Sequence, residues 1–166
     1  SAKDYSKKLG GNSFQFSSDA INEMYEKRMR IETRLRRALE KNEFVLYYQP
    51  KVEIKTGIVR GVEALLRWEG DLGLVSPGDF IPLSVETGLI VPIGEWVLQE
   101  ACRQLNEWHR ATRKPISMSV NISAKQFTSV NFLSTVKEIV KDSRIDKRFL
   151  TLELTESLLL GDIENK

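Results

Sequence analysis

The 166 residues carry 25 Lys and Arg against 23 Asp and Glu, a formal charge of +2, and 41% are hydrophobic. That balance argues against duplex nucleic acid or an anionic membrane surface as partner, and the apolar content suits an ordinary soluble globular domain with one sizeable core. The single cysteine, Cys102, excludes an internal disulfide framework and suits a reducing cytosol, no apolar run is long enough to span a membrane, and the opening SAKDYSKKLGG lacks the apolar stretch of a signal peptide.

The first 16 residues read as a helix end, a turn at Gly10-Gly11-Asn12 and a short strand, SFQF. So short a piece makes no core, and it is expected to be the tail of an upstream domain. Because the chain does not begin with Met, a membrane anchor further upstream is compatible with all of this. Residues 17–41 read as a linker helix capped by Ser17 or Ser18, with Ile21, Met24, Ile31, Leu35 and Ala38 near a 3.5-residue period and Arg28 breaking the seam. A solvated connecting helix is the plain expectation; a short dimerising coiled coil is the alternative.

From Phe44 the texture changes. FVLYYQPKVEI, a Thr56-Gly57 turn and IVRGVEALLRW read as two strands of a hairpin. SPGDFIPLSVETG reads as a short helix, with Ser76 as cap, Pro77 at its first position and Gly88 as its stop. A longer helix follows at 92–111, with Ile93, Trp96, Val97, Ala101, Leu105 and Trp108 as its buried stripe. ISMSVNIS at 116–123 is a strand. Residues 129–142 are a helix carrying Phe132, Leu133, Val136, Ile139 and Val140, and FLTLELTE at 149–156 is another strand. Strand, helices, strand, helix, strand is the order of a parallel sheet with crossover helices.

Alternation along the strands separates two faces. Val62, Ala64, Leu66 and Trp68 oppose Glu63, Leu65 and Arg67. Met118, Val120 and Ile122 oppose Ser117, Ser119, Asn121 and Ser123. Leu150, Leu152 and Leu154 oppose Thr151, Glu153 and Thr155, and Gln49 and Lys51 oppose Tyr48. Each strand therefore has an apolar face for helices and a face with polar groups near its C-terminal end, where parallel α/β barrels bind ligands. A buried, unpaired carboxylate at Glu63 is costly, so it reaches water or meets a positive charge. Glu63, Asn121 and Glu153 are hard oxygen donors suited to Mg²⁺ or Mn²⁺, and no Cys/His cluster points to zinc. Arg67 on the same face suits a phosphate, which together with a metal fits phosphate ester hydrolysis. The alternative is a set of barrel-interior polar groups satisfied by water and salt bridges, with Arg67 neutralising Glu63 or Glu153.

YYQP, EALLRW, GLVSPGDFIPLSVETGLIVPIGEWVL, VNIS and ELTES, in this order, resemble the first half of an EAL domain, the cyclic di-GMP phosphodiesterase domain of bacteria. AKDYSKKLGGNSFQF is similar to the end of a GGDEF (diguanylate cyclase) domain. The resemblance implies an α/β fold: the N-terminal half of a TIM-like (β/α)8 barrel with an antiparallel first strand, preceded by a linker helix. It divides the chain into a GGDEF-like tail at 1–16, the linker helix at 17–41 and the N-terminal half of an EAL-like domain at 42–166. It implies two divalent cations, Mg²⁺ or Mn²⁺, and hydrolysis of cyclic di-GMP to linear pGpG in bacterial second-messenger signalling. Carried over by motif, Glu63, Asn121 and Glu153 are expected metal ligands, Glu63 and Glu156 catalytic positions with Glu156 steadying a neighbouring loop, and Gln49 and Arg67 contacts to substrate, Arg67 at a phosphate. The expected setting is cytoplasmic, with the cytoplasmic part of a membrane-anchored sensor as one form of it, and no contact to membrane or to DNA or RNA duplex by this segment.

A (β/α)8 barrel takes about 250 residues, and the family's paired-aspartate motif, later Lys and last metal-binding Glu do not occur among these 166. The segment alone is therefore expected to hold part of the metal site and to have little activity, with a homodimer or a missing C-terminal half completing the sheet. Two other functions stay open: a receptor that holds cyclic di-GMP without cutting it, and a dimerising scaffold. His109 is expected at the surface, Cys102 as a packed thiol, and Trp68, Trp96 and Trp108 in the core.

Overall fold

A computed structural model describes residues 18–71, 73–112 and 115–154, the side chains of 18–20 excepted. Its elements in chain order are α1 (Ser18–Ala38), β1 (Phe44–Val52), β2 (Val59–Gly70), β3 (Gly73–Val75), α2 (Pro77–Thr87), α3 (Ile90–Ala111), β4 (Ser117–Ile122), α4 (Ala124–Phe127), α5 (Phe132–Ser143), a 3₁₀ turn (Lys147–Phe149) and β5 (Leu150–Leu154). The expected tail at 1–16 lies outside the described residues. Among the described residues no single helix is long and apolar enough to cross a membrane.

The sheet runs β1-β2-β4-β5, with β3 paired to β2 off that path. β1 is antiparallel to β2, whereas β2, β4 and β5 are mutually parallel. This is the expected hairpin followed by crossover units, the partial barrel that the resemblance implies. Gly57 closes the hairpin at a φ of 67°, in the left-handed region that other residues avoid. The β2–β4 pairing begins at Gly61 opposite Ser117, where a Cβ would come within 2.3 Å of Ser117 Oγ and 2.9 Å of its carbonyl oxygen. Only a hydrogen at that position lets the two strands approach.

The apolar strand faces form the core as alternation requires. Val62, Ala64 and Trp68 are buried with Met118, Val120 and Ile122 against Ile93, Val97, Ala101 and Leu105 of α3. Trp68 is fully buried and lies in an aromatic group with Phe44 and Phe80, at ring-centroid distances of 6.1 and 5.6 Å. Its indole Nε1 donates to Glu43 Oε2 at 2.8 Å. Trp96 and Trp108 are half-buried at the edge of the same core. Cys102 is buried in this core, and burial pushes its thiol up, away from the nucleophilic thiolate.

Several expectations need correction. β3 is absent from the sequence reading; its three residues are too short to show alternation and exist by pairing with the end of β2. Ser76 does precede α2 with extended backbone, but its side chain makes no capping bond; Pro77 needs no N–H partner, and Gly88 at φ 81° ends the helix as expected. Leu133 is 64% exposed rather than core, because α5 turns its Val136–Ile139 edge inward. Helix α5 also starts at Phe132, after Asn131 as its N-cap and later than the expected 129, and a separate helical turn, α4, precedes it. Ser123 and Gln126 form a reciprocal capping box around α4. His109 is not a surface residue. It is half-buried, donates from Nε2 to the Ile116 carbonyl at 2.9 Å, and meets the Phe149 ring edge-on.

Helix α1 is exposed throughout residues 21–30 but docks its C-terminal end, where Leu35 and Ala38 are buried in the main core. It ends at Ala38, short of the expected 41. Arg28 does not merely interrupt an apolar seam: it pairs with Glu86 while Lys27 Nζ lies 2.7 Å from Asp79 Oδ2, tying α1 to α2 across a groove of about 620 Å³. These pairs are exposed and add little stability; the buried Leu35 end holds the helix in place.

Candidate active site

The polar faces of β1, β2, β4 and β5 lie side by side because directly paired residues project to the same face. Gln49 pairs with Glu63 across the β1–β2 hairpin, Glu63 with Ser119 across β2–β4, and Asn121 with Glu153 across β4–β5. Lys51, opposite Gly61, stands two residues along β1 from Gln49 and on the same face. One row of polar side chains thus crosses four strands.

Glu63 is half-buried, and its Oε1 accepts a hydrogen bond from Asn121 Nδ2 at 2.7 Å. The carboxylate that interrupts an apolar run therefore faces the polar side and meets an amide donor. Its partner's remaining acceptor, Asn121 Oδ1, is the atom a hard cation would use. Glu153 meets a true positive charge: Lys51 Nζ lies 2.6 Å from Glu153 Oε1 and also donates to Ser119 Oγ at 2.8 Å. The Lys51 ammonium, helped by the Ser119 hydroxyl, holds the Glu153 carboxyl below its ordinary range, so this carboxylate stays ionised.

Arg67 takes neither of the neutralising roles considered for it. Its Nη1 donates to the Leu66 carbonyl at 2.8 Å, and its guanidinium stacks over the Tyr47 ring, 5.3 Å from the centroid. Tyr47 in turn donates its hydroxyl to Glu69 Oε1 at 2.9 Å, which pushes the phenol up. The stack sets the plane of Arg67 without an ion pair to Glu63 or Glu153. Gln49 is exposed beside Glu63. Glu156 lies outside the described residues.

The structure therefore brings Glu63 and Asn121 into contact and sets Glu153 opposite Asn121 in register. Sequence reading missed Lys51, placing it on the polar face but giving it no role. The available signal was its spacing of two from Gln49 on the strand that pairs with Glu63. The donor set fits a hard divalent cation: two carboxylates and an amide oxygen come from three successive strands, and a positive group, the Lys51 ammonium, already rests on one of those carboxylates.

A family model for the EAL domain matches residues 32–165. Over 160 residues the chain is 43% identical to the oxygen sensor protein DosP of Escherichia coli, covering 96% of this chain and 20% of that protein. It is 40% identical over 161 residues to the bifunctional diguanylate cyclase/cyclic di-GMP phosphodiesterase MucR of Pseudomonas aeruginosa, covering 96% and 24%. Among solved structures, the PaMucR phosphodiesterase in complex with c-di-GMP superposes with a TM-score of 0.76 at 44% identity, over 82% of this chain and 56% of that one. The chain thus spans between a fifth and a quarter of the length of these two curated relatives.

Proposed function

The chain belongs to the EAL domain family, and we propose that it forms part of a cyclic di-GMP phosphodiesterase that opens one phosphodiester of its substrate to give linear pGpG. The observation that carries this reading is the convergence of Glu63, Asn121 and Glu153 on one sheet face, in motifs without a degenerate position. The relative MucR, a bifunctional diguanylate cyclase/cyclic di-GMP phosphodiesterase, supports it.

Divalent-metal dependence is general among EAL phosphodiesterases. Here Glu63, Asn121 and Glu153 would hold the ions, Mg²⁺ or Mn²⁺ as a pair in the whole domain. Bound there, the metal supplies Lewis-acid polarisation of the phosphate and a lowered pKa for water. The protein's own residues prepare the face for that. Asn121 fixes the Glu63 carboxylate through its amide hydrogen, leaving Oδ1 for the cation. Arg67, held over the Tyr47 ring, presents a planar guanidinium suited to a phosphate, and Gln49 offers an amide to the same ligand. Glu156, two residues past the β5 end, would steady the adjoining loop. The division into a GGDEF-like tail at 1–16, a linker at 17–41 and the first half of the EAL-like domain from 42 belongs to the same proposal, as does a cytoplasmic setting.

The activity is that of the whole domain. The superposed 82% of this segment corresponds to 56% of the MucR phosphodiesterase chain, and the segment by itself is expected to turn over little substrate. The test is incubation of the full protein with cyclic di-GMP and Mg²⁺ or Mn²⁺, followed by chromatography. Accumulation of pGpG is expected. Stoichiometric binding without cleavage would replace the enzyme with a receptor, and no binding would leave a scaffold.

A further inference from the structure

Lys51 cannot itself ligate a metal, since an ammonium has three donors and no acceptor. Yet it reaches across the face from the edge strand β1. Its Nζ reaches Glu153 Oε1 at 2.6 Å and the buried Ser119 Oγ at 2.8 Å. Resting on the proposed metal site, we propose that Lys51 is a built-in competitor for that site: its ammonium occupies Glu153 when no divalent ion is bound, and an ion enters by displacing it.

Three observations support displacement rather than a fixed structural pair. The Lys51 side chain is 43% exposed, so it has open water to swing into. It lies at the irregular end of β1, where the register with β2 shifts between Lys51 and Val52, so its backbone is not locked by an unbroken ladder. Its partner oxygen belongs to the carboxylate that the metal reading requires, and an ammonium and a divalent cation cannot both rest on that oxygen without strong like-charge repulsion. While it is in place, the ammonium offsets the negative charge that Glu153 adds beside Glu63. The face is thereby kept assembled and ionised in the absence of metal, and weak cations are kept out.

The exchange predicts opposite effects on two measurements. In the full protein, Lys51→Gln removes the competitor. Mn²⁺ affinity, read by calorimetry and by the loss of the free-ion electron spin resonance signal, is expected to rise roughly tenfold, within the usual range of coupling between ligands. In metal-free buffer the same variant is expected to melt lower than the native protein, because Glu153 loses its counter-charge. Lys51→Arg keeps a cation on Glu153, and its Mn²⁺ affinity is expected to stay within about threefold of the native value by the same coupling argument. Unchanged or weakened Mn²⁺ binding in Lys51→Gln, or a rise of the same size in Lys51→Arg, would overturn the competitor role while leaving the metal site intact. Absence of Mn²⁺ binding in the native protein and both variants, each folded by circular dichroism, would instead overturn the metal site and the competitor with it.

Discussion

Glu63→Gln is expected to lower the turnover of cyclic di-GMP by roughly 10²- to 10⁴-fold, since a lost metal contact removes several kcal/mol of transition-state stabilisation and each 1.36 kcal/mol is tenfold in rate. The substitution keeps the shape of the side chain, and an amide oxygen at position 63 still accepts from Asn121 Nδ2, now 2.7 Å from Glu63 Oε1. What disappears is the negative charge. Glu63 is only half-buried and belongs to the polar face, so the fold is expected to survive with a change in stability below about 1 kcal/mol. Loss of rate with an unchanged melting curve is therefore the signature of a ligand role. Turnover within threefold of native, measured as pGpG released under saturating Mn²⁺, would show that Glu63 holds no catalytic ion.

The second large effect is on stability. Trp68→Ala is expected to destabilise the protein by about 4 kcal/mol, in the range for deleting a large buried aromatic side chain. Two losses add there. The indole is fully buried between Phe44 and Phe80, so its removal leaves a cavity that strand and helix cannot close together. Its Nε1 also donates to Oε2 of the buried Glu43, and that oxygen loses its donor while Oε1 keeps only a 3.8 Å contact to Lys41 Nζ. For a chain of this size the melting temperature falls by roughly 10 °C. Trp68→Phe separates the two: it retains most of the volume and loses only the donor, at about 1–3 kcal/mol. A drop of under about 3 °C for Trp68→Ala would mean that this aromatic group is not the centre of the core.

The faces of the strands were readable because a two-residue period leaves little freedom once one side is apolar. Ser-Met-Ser-Val-Asn-Ile at 117–122 places Met118, Val120 and Ile122 in the core and Asn121 on the other side, as the structure has it. Glu63 was visible by the same rule, as the charge that interrupts a buried run. What alternation does not contain is the register between strands. Lys51 and Glu153 are 102 positions apart, and only the joint pairing of β1, β2, β4 and β5 brings their side chains together. For the same reason the alternation that placed Arg67 on the polar face did not show that its guanidinium lies over the Tyr47 ring of the paired strand. The short pieces, β3 and α4, were hidden because neither is long enough for a period to repeat; one exists through edge pairing and the other through the Ser123–Gln126 capping box. The burial of Leu35 and Ala38 at the end of an otherwise exposed helix is likewise set by what the helix docks against, and its own sequence does not mark where docking starts.

Diffraction from crystals of the protein grown with Mn²⁺, recorded near the manganese edge, locates the ion without reference to activity. An anomalous peak bounded by the carboxylates of Glu63 and Glu153 and the amide oxygen of Asn121 is the predicted result. No peak at that face at saturating Mn²⁺, with the Glu63–Asn121 and Lys51–Glu153 contacts unaltered, would contradict the site and the hydrolysis built upon it.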